Sequence, residues 1–271
     1  MGNIHVGTSG FSYDDWLGTF YPPSVKLAHR LEYYAQNFNT VKINSSFYQL
    51  PSLPAVYGML NKVPEEFEFF IKAHRDLTHE RKNAPETFPR FREMLNAYRG
   101  EKKLAGVLFQ FPPEFECSGK HEDYLRNLVE SLKGIQTVIE FRHARWINDR
   151  TMEFLRELNA AYCIVDMPQV RHLPSSRLDA TADIAYVRFH GHNVEHWARA
   201  STRDERYDYE YSDEEIWSWV PVIIRLSKSV KDVYVYYNNH YRGKAPKNAR
   251  TLENFLESYR TGSEIPHEPP I

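Results

Sequence analysis

Eight short runs of β-branched or aromatic residues recur along the chain, and apolar residues at helical spacing separate most of them. Strands that alternate with helices form parallel sheets, which need helices over both faces and leave no exposed edge when they close into a barrel. The pattern therefore predicts an α/β fold of the (β/α)8 TIM-barrel type. The eight runs are Asn3 to Thr8, Thr40 to Ile43, Glu68 to Ala73, Leu104 to Phe109, Thr137 to Phe141, Tyr162 to Asp166, Ile184 to Phe189 and Asp232 to Tyr237.

The length of 271 residues suits one such barrel, which typically takes about 250. We expect a single domain over residues 1–271, with a Pro-rich tail over residues 264–271. The sixth unit is the weakest, because residues 168–182 show little helical period. An open, doubly wound sheet is the alternative. However, no G-x-G-x-x-G follows the first strand and the chain has no Walker-type glycine loop, so we predict no cofactor.

Net charge and hydropathy exclude two classes of partner. A net charge of −2 argues against a protein that coats nucleic acid or anionic lipid without specificity. No stretch approaches the ~20 apolar residues of a membrane span, and the N-terminal residues do not resemble a signal peptide. We therefore expect a cytoplasmic protein with no membrane partner, and reduced packing thiols at Cys117 and Cys163.

Side chains alternate between the two faces of a strand, and the polar residues near each strand end lie on one of these faces, which we call the polar parity. Glu140 and Arg142 share one face of the fifth run, and Arg188 and His190 share one face of the seventh. Catalytic groups of TIM barrels gather at the C-terminal ends of the strands, so we expect this parity to point into the barrel mouth. The corresponding polar residues of the other runs are Ser9, Lys42, Asn44, Lys72, His74, Gln110, Asp166 and Asn238.

This mouth is predicted to be net positive although the chain is slightly negative. Buried charge is costly unless it is paired or used, so a purely structural ion network that closes the barrel is the alternative. The fixed cations of the set are Lys42, Lys72, Arg142 and Arg188, against Glu140 and Asp166.

Six ordered motifs, spread over nearly the whole chain, resemble the YecE-like barrel family. They are Gly7-Thr8-Ser9-Gly10 with Trp16 and Phe20-Tyr21-Pro22, Asn44-Ser45-Ser46-Phe47-Tyr48, Phe109-Gln110-Phe111-Pro112-Pro113, Glu140-Phe141-Arg142-His143, Tyr186-Val187-Arg188-Phe189-His190-Gly191, and Asn238-Asn239 with Gly243, Ala245, Asn248 and Ala249. The resemblance implies a TIM-type barrel, related in architecture to barrels that include apurinic endonucleases and sugar isomerases. It implies no activity, since the family is a domain of unknown function. Lys42 stands where the resemblance leads us to expect Glu, which makes the mouth more basic.

Three residues are candidate catalytic groups. Glu140 and Asp166 could form an acid and base pair, in which Arg142 lowers the pKa of whichever carboxylate it contacts. His190 is the third candidate. The alternative is a salt-bridged structural pair. We predict no metal site, because the histidines lack ligand spacing and Lys42 and Lys72 would repel a cation.

An anion site is the other candidate. Arg188, His190, Asn238 and Asn239 lie at the ends of strands seven and eight, where many barrels hold phosphate, and Lys72 and Arg142 could close the charge from across the barrel. The alternative is that the asparagines anchor loops. Two functions follow: a hydrolase- or isomerase-like enzyme acting on a phosphorylated sugar or nucleic-acid fragment, or a non-catalytic binding module for such an anion. The predicted ligand-binding residues are Ser9, Asn44, Lys72, Gln110, Arg142, His143, Arg188, Asn238, Asn239 and Asn248.

Overall fold

A computed structural model describes residues 1–168, 177–195 and 205–262, so the predicted tail over residues 264–271 lies outside the described residues. Over these ranges eight strands pair in chain order into a closed barrel, and every pairing is parallel. The predicted (β/α)8 barrel is therefore confirmed. The strands are β1 Asn3–Ser9, β2 Thr40–Ile43, β3 Glu68–Lys72, β4 Leu104–Gln110, β5 Thr137–Glu140, β6 Ala161–Asp166, β7 Ile184–Phe189 and β8 Asp232–Tyr237.

Helices surround this barrel. Four of the described α-helices begin at side-chain caps. In two of these, Asn148 accepts from the backbone N–H of Thr151 at 2.9 Å, and Ser212 and Glu215 form a reciprocal capping box. No helix of the described residues is long and apolar enough to cross a membrane. The described α-helices are α1 Arg30–Ala35, α2 Leu53–Leu60, α3 Ala84–Gly100, α4 Gly119–Ser131, α5 Asp149–Glu157, α6 Asp213–Ser227 and α7 Lys244–Thr261.

Aromatic side chains fill the barrel interior below the mouth. Phe70 packs edge-to-face on Tyr186 and Tyr234, with ring centroids 4.7 and 5.3 Å apart, and Tyr236 joins the same buried group. The interior is therefore a packed core, and polar side chains that face inward from the later part of each strand must gather above it.

The pairing of β1 with β8 closes the barrel. Six residue pairs align along it, from Asn3 with Asp232 to Thr8 with Tyr237. Asn3 also donates a hydrogen bond to the Asp232 carboxylate at 2.9 Å. This closure places the ends of β7 and β8 beside that of β1, which is what brings their polar residues to one mouth.

Candidate functional site

Glu140 is the centre of the inward-facing polar group. Its side chain is wholly buried, and its two carboxylate oxygens bind different guanidinium groups. Oε2 lies 2.6 Å from Nη1 of Arg188, and Oε1 pairs with Nη2 of Arg142. Both arginines are also buried, so one carboxylate is shared by two cations away from solvent.

Arg188 extends this pair toward solvent. It donates to Oε1 of Gln110 at 3.1 Å and to Oδ1 of Asn238 at 3.0 Å. Lys72 donates to the same Gln110 oxygen at 3.2 Å, and its ammonium lies 4.3 Å from the centroid of the Phe47 ring. Lys72 and Gln110 are half-buried, so they form the more accessible edge of the group.

His190 completes the group from the residue after β7. Because Oδ1 of Asn238 already accepts from Arg188, its Nδ2 donates to Nδ1 of His190 at 3.2 Å. The imidazole Nε2 lies 3.0 Å from Nη2 of Arg142 and 3.5 Å from Glu140. These contacts define the mouth cluster: Lys72, Gln110, Glu140, Arg142, Arg188, His190 and Asn238.

The charges of the mouth cluster fix its protonation state. Burial alone would raise the pKa of Glu140, but Arg142 and Arg188 outweigh burial and hold that pKa well below its ordinary value. Burial lowers the pKa of His190, and the same two arginines lower it further. At neutral pH the cluster therefore holds an ionised carboxylate and a neutral imidazole.

Ser9 and Asn44 lie at the ends of β1 and β2. Asn44 donates through Nδ2 to the backbone oxygen of Ser9 at 3.2 Å, and Tyr13 donates its hydroxyl to the same oxygen at 2.7 Å. The Ser9 hydroxyl is buried and has no hydrogen-bond partner among the described residues. Asn44 therefore holds two strand ends together.

Asp166 does not join Glu140, which corrects the expected orientation. In β6 the residues that pack in the barrel interior are Cys163, Val165 and then Met167, so Asp166 has the opposite parity and faces outward. Its Oδ2 accepts from the Tyr211 hydroxyl at 2.6 Å and lies 2.8 Å from Nε2 of His192. This outer cluster comprises Asp166, His192, Tyr209, Tyr211 and Glu215.

Asn239 and Asn248 hold a loop. Asn239 donates to Oδ1 of Asn248 at 2.8 Å and to the backbone oxygen of Tyr209 at 2.9 Å. The Asn248 amide also donates to the backbone oxygen of Tyr211 at 3.1 Å. Asn239 directly follows Asn238, whose side chain faces into the barrel, so the side chain of Asn239 faces outward. The geometry therefore favours the loop-anchoring alternative for both residues.

His143 also lies apart from the mouth cluster. It directly follows Arg142, and its Nδ1 accepts the backbone N–H of Arg145 at 3.2 Å, which caps a short turn.

Sequence reasoning missed two groups that contact the mouth cluster. The Cys163 thiol lies 3.8 Å from Oε2 of Glu140, and Sδ of Met167 lies 3.9 Å from Nη1 of Arg142. Both are inward-facing on β6 or directly after it, but both faces of that run are apolar, so the sequence carried no signal that could have found them. Burial and the neighbouring Glu140 raise the pKa of Cys163, which keeps the thiol protonated.

Over residues 1–168, 177–195 and 205–262, no group of three or more His, Cys, Asp or Glu side chains is arranged to hold a metal ion. The nearest approach is the outer cluster, where His192 lies between Asp166 and Glu215. Hydrogen bonds between those side chains account for that arrangement. The absence of a metal site remains a prediction.

Comparison with known proteins places the chain in a family. A family model described as "Protein of unknown function DUF72" matches residues 5–270. The UPF0759 protein YunF of Bacillus subtilis is 30% identical over 275 residues, which cover 96% of each chain. A crystal structure of a DUF72 family protein from Thermotoga maritima has a TM-score of 0.87 and 38% identity, covering 94% of this chain and 99% of that one. A DUF72 family protein from Enterococcus faecalis has a TM-score of 0.85 and 25% identity, covering 94% and 95%. The resemblance to YecE-like barrels is thereby confirmed under another name, and the chain belongs to the DUF72 family.

Proposed function

We propose that this protein binds a small anion, of the phosphorylated-sugar or nucleic-acid-fragment class, at the mouth cluster. The observation that carries the proposal is the sharing of Glu140 by two buried guanidinium groups. Two arginines and one carboxylate leave one net positive charge in a buried site, and Lys72 adds another at the accessible edge. A ligand with two negative charges balances that excess.

Phosphate suits the donors of this cluster. Guanidinium groups present parallel N–H donors that match phosphate oxygens, and Lys72 adds a mobile ammonium. Arg188 lies on β7 and Arg142 lies two residues after the end of β5, so a ligand between the arginines would contact two strand ends that are separated by β6 alone. The neutral His190 beside Arg142 and Asn238 adds no competing negative charge.

The geometry gives no support to Glu140 and Asp166 as an acid and base pair. Glu140 is a weak base because the two arginines hold its pKa low. Asp166 faces the opposite side of the barrel wall. Binding is therefore the function that the mouth cluster supports, and a hydrolase or isomerase reaction needs another group.

The test is calorimetric titration with sugar phosphates, nucleotides and short oligonucleotides at two salt concentrations. We expect Arg188→Ala to weaken binding by about 2 to 5 kcal/mol, because it removes a buried charged donor. Lys72→Met should weaken binding by at least tenfold, or about 1.4 kcal/mol. Its effect should shrink at high salt, because Lys72 is half-buried.

Lys231→Met is the matched control. It removes the same charge just before β8, at the opposite end of the barrel, where Lys231 pairs with Asp183 at 2.8 Å. We expect this variant to bind as tightly as the wild type. If no anion binds the wild type, or if Arg188→Ala binds equally well, the structural ion network takes the place of this proposal.

A further inference from the structure

Lys42 is a buried amine that the proposed anion site does not use. It lies on β2, aligned with Ser9 of β1, and its side chain is wholly buried. The ammonium nitrogen has no hydrogen-bond partner among the described residues, and neither has the Ser9 hydroxyl beside it in register. Two polar groups thus lie side by side in the barrel mouth without partners, at a cost in stability that a structural role alone does not explain.

The surroundings of Lys42 lower its pKa. Burial lowers its pKa well below the ordinary value, and the like charges of Arg188 and Lys72 lower it further. Glu140 attracts a proton to Lys42, but its carboxylate is already shared by two guanidinium groups. The lowered pKa favours the neutral amine, whose lone pair is the nucleophile in lysines activated by desolvation and neighbouring cations.

We propose that Lys42 is a catalytic residue that forms an imine with the carbonyl carbon of an aldehyde or ketone bearing a phosphate group. This inference rests on the proposed anion site, which would hold the phosphate at Arg142, Arg188 and Lys72. Arg188 and Lys72 are among the charges nearest to Lys42, so the phosphate and the carbonyl belong to one small molecule. Lys72 is half-buried, so a ligand that reaches the amine from solvent would have to pass its side chain.

The step balances without an oxidant or a metal. The lone pair of Lys42 Nζ forms the C–N bond, and the carbonyl π pair moves to oxygen, which takes one proton from the nitrogen. The C–O bond then breaks, and the oxygen leaves as water with the second amine proton. The unpartnered Ser9 hydroxyl, on the residue aligned with Lys42, would be the hydrogen-bond partner of that oxygen. The imine, once protonated, withdraws electrons from the adjacent C–H or C–C bond, which is the use of Schiff bases in catalysis.

Reductive trapping tests the proposal on the full chain. The protein is incubated at neutral pH with dihydroxyacetone phosphate and cyanoborohydride, and the adduct is located by intact mass and peptide mapping. We expect one adduct per chain at Lys42, formed at least tenfold faster than at exposed Lys231. Dihydroxyacetone without phosphate should label Lys42 at least tenfold more slowly. Lys42→Arg should lose the adduct, and a thermal melt of Lys42→Met shows whether the fold survives replacement of this lysine.

The outcomes separate the two proposals. Adducts spread over exposed lysines with none at Lys42 overturn the imine, while calorimetric binding of dihydroxyacetone phosphate would leave the anion site standing. Equal labelling of Lys42 by the two ketones, without phosphate binding, overturns the anion site and keeps the reactive amine.

Discussion

The two carboxylates expected to act as a pair lie on opposite sides of the barrel wall and differ in every neighbour. Glu140 is wholly buried between two permanent cations. Asp166 is half-buried and contacts a hydroxyl and the titratable His192. The inner cluster therefore keeps an excess of positive charge, whereas the outer cluster adjusts its charge by taking up or releasing a proton. That contrast is the reason that we propose ligand binding for the inner side and loop attachment for the outer side.

The two clusters respond to pH in opposite directions. Folding lowers the pKa values of Lys42 and His190. At pH values between the lowered and the ordinary pKa of each group, the unfolded chain binds more protons than the folded chain, so rising pH stabilises the fold. His192 differs: the hydrogen bond to Asp166 raises its pKa, and both Asp166 and Glu215 favour its charged form. Its stabilisation is complete below about pH 6.5 and is lost as pH rises through the raised pKa.

The largest expected effect comes from removing the inner carboxylate. Glu140→Gln leaves Arg142 and Arg188 buried without their counter-charge, which should cost about 3 to 5 kcal/mol of unfolding free energy. Asp166→Asn should cost no more than about 1 kcal/mol, because its ionic partner is partly solvated. Denaturant titrations of both variants measure the difference.

A double variant tests whether the loss of stability in Glu140→Gln comes from the two arginines left without a counter-charge. Glu140→Gln combined with Arg142→Met removes one of the two stranded cations, so it should regain part of the lost stability. Equal destabilisation by Glu140→Gln and Asp166→Asn would remove the contrast between the two clusters.

An intermediate effect, of opposite sign, is expected at Lys42. Lys42→Met replaces a buried, unpartnered amine by an apolar side chain of similar length, which should stabilise the fold by about 1 to 3 kcal/mol at pH 7. The gain should shrink as pH approaches 10.5, where the lowered pKa of Lys42 no longer matters. Denaturant titrations at pH 7 and pH 10 check this, with half-buried Lys72→Met as the control. A variant less stable than the wild type at pH 7 would mean that Lys42 is partnered in the folded protein.

The smallest effect is expected in the outer cluster. His192→Gln should lower stability by less than about 1 kcal/mol at pH 5.5, because His192 is half-exposed and its ion pairs are screened. The difference from wild type should vanish near pH 9, where His192 is neutral in both the folded and unfolded chains. Thermal melts of the wild type and His192→Gln across this pH range measure how the difference in stability changes with pH. Asp166→Asn should flatten the pH dependence of the melting temperature in the same way. A wild type that gains stability through this window more steeply than His192→Gln would contradict the assignment.

The sequence was enough to predict the barrel and most of the inner cluster, but not the outer one. Strict alternation in β5 and β7 assigns Glu140, Arg142 and Arg188 to one face, and the structure agrees. Both faces of β6 are apolar until its last residue, so nothing in that run shows that Asp166 points outward. Its polar partners come from other segments: Tyr211 lies 45 residues further along the chain.

Asn239 illustrates the same limit. An asparagine after a barrel strand suits either a ligand or a loop, and spacing does not distinguish the two. The loop role becomes visible only in the contacts with Tyr209, 30 residues away, and with Asn248. The sequence shows Lys42 as an added positive charge. That its amine has no hydrogen-bond partner among the described residues depends on how the interior packs, and no sequence pattern predicts it.

The closure between β1 and β8 has a consequence for biosynthesis. The residues it joins are as much as 229 positions apart, so β1 leaves the ribosome long before its second neighbour exists. At about 5 to 20 residues per second, the delay is roughly 10 to 50 s. Throughout that time one edge of β1 has unpaired backbone groups, and an exposed edge of this kind invites pairing with other chains. We therefore expect chaperones that shield a nascent barrel to act before β8 emerges.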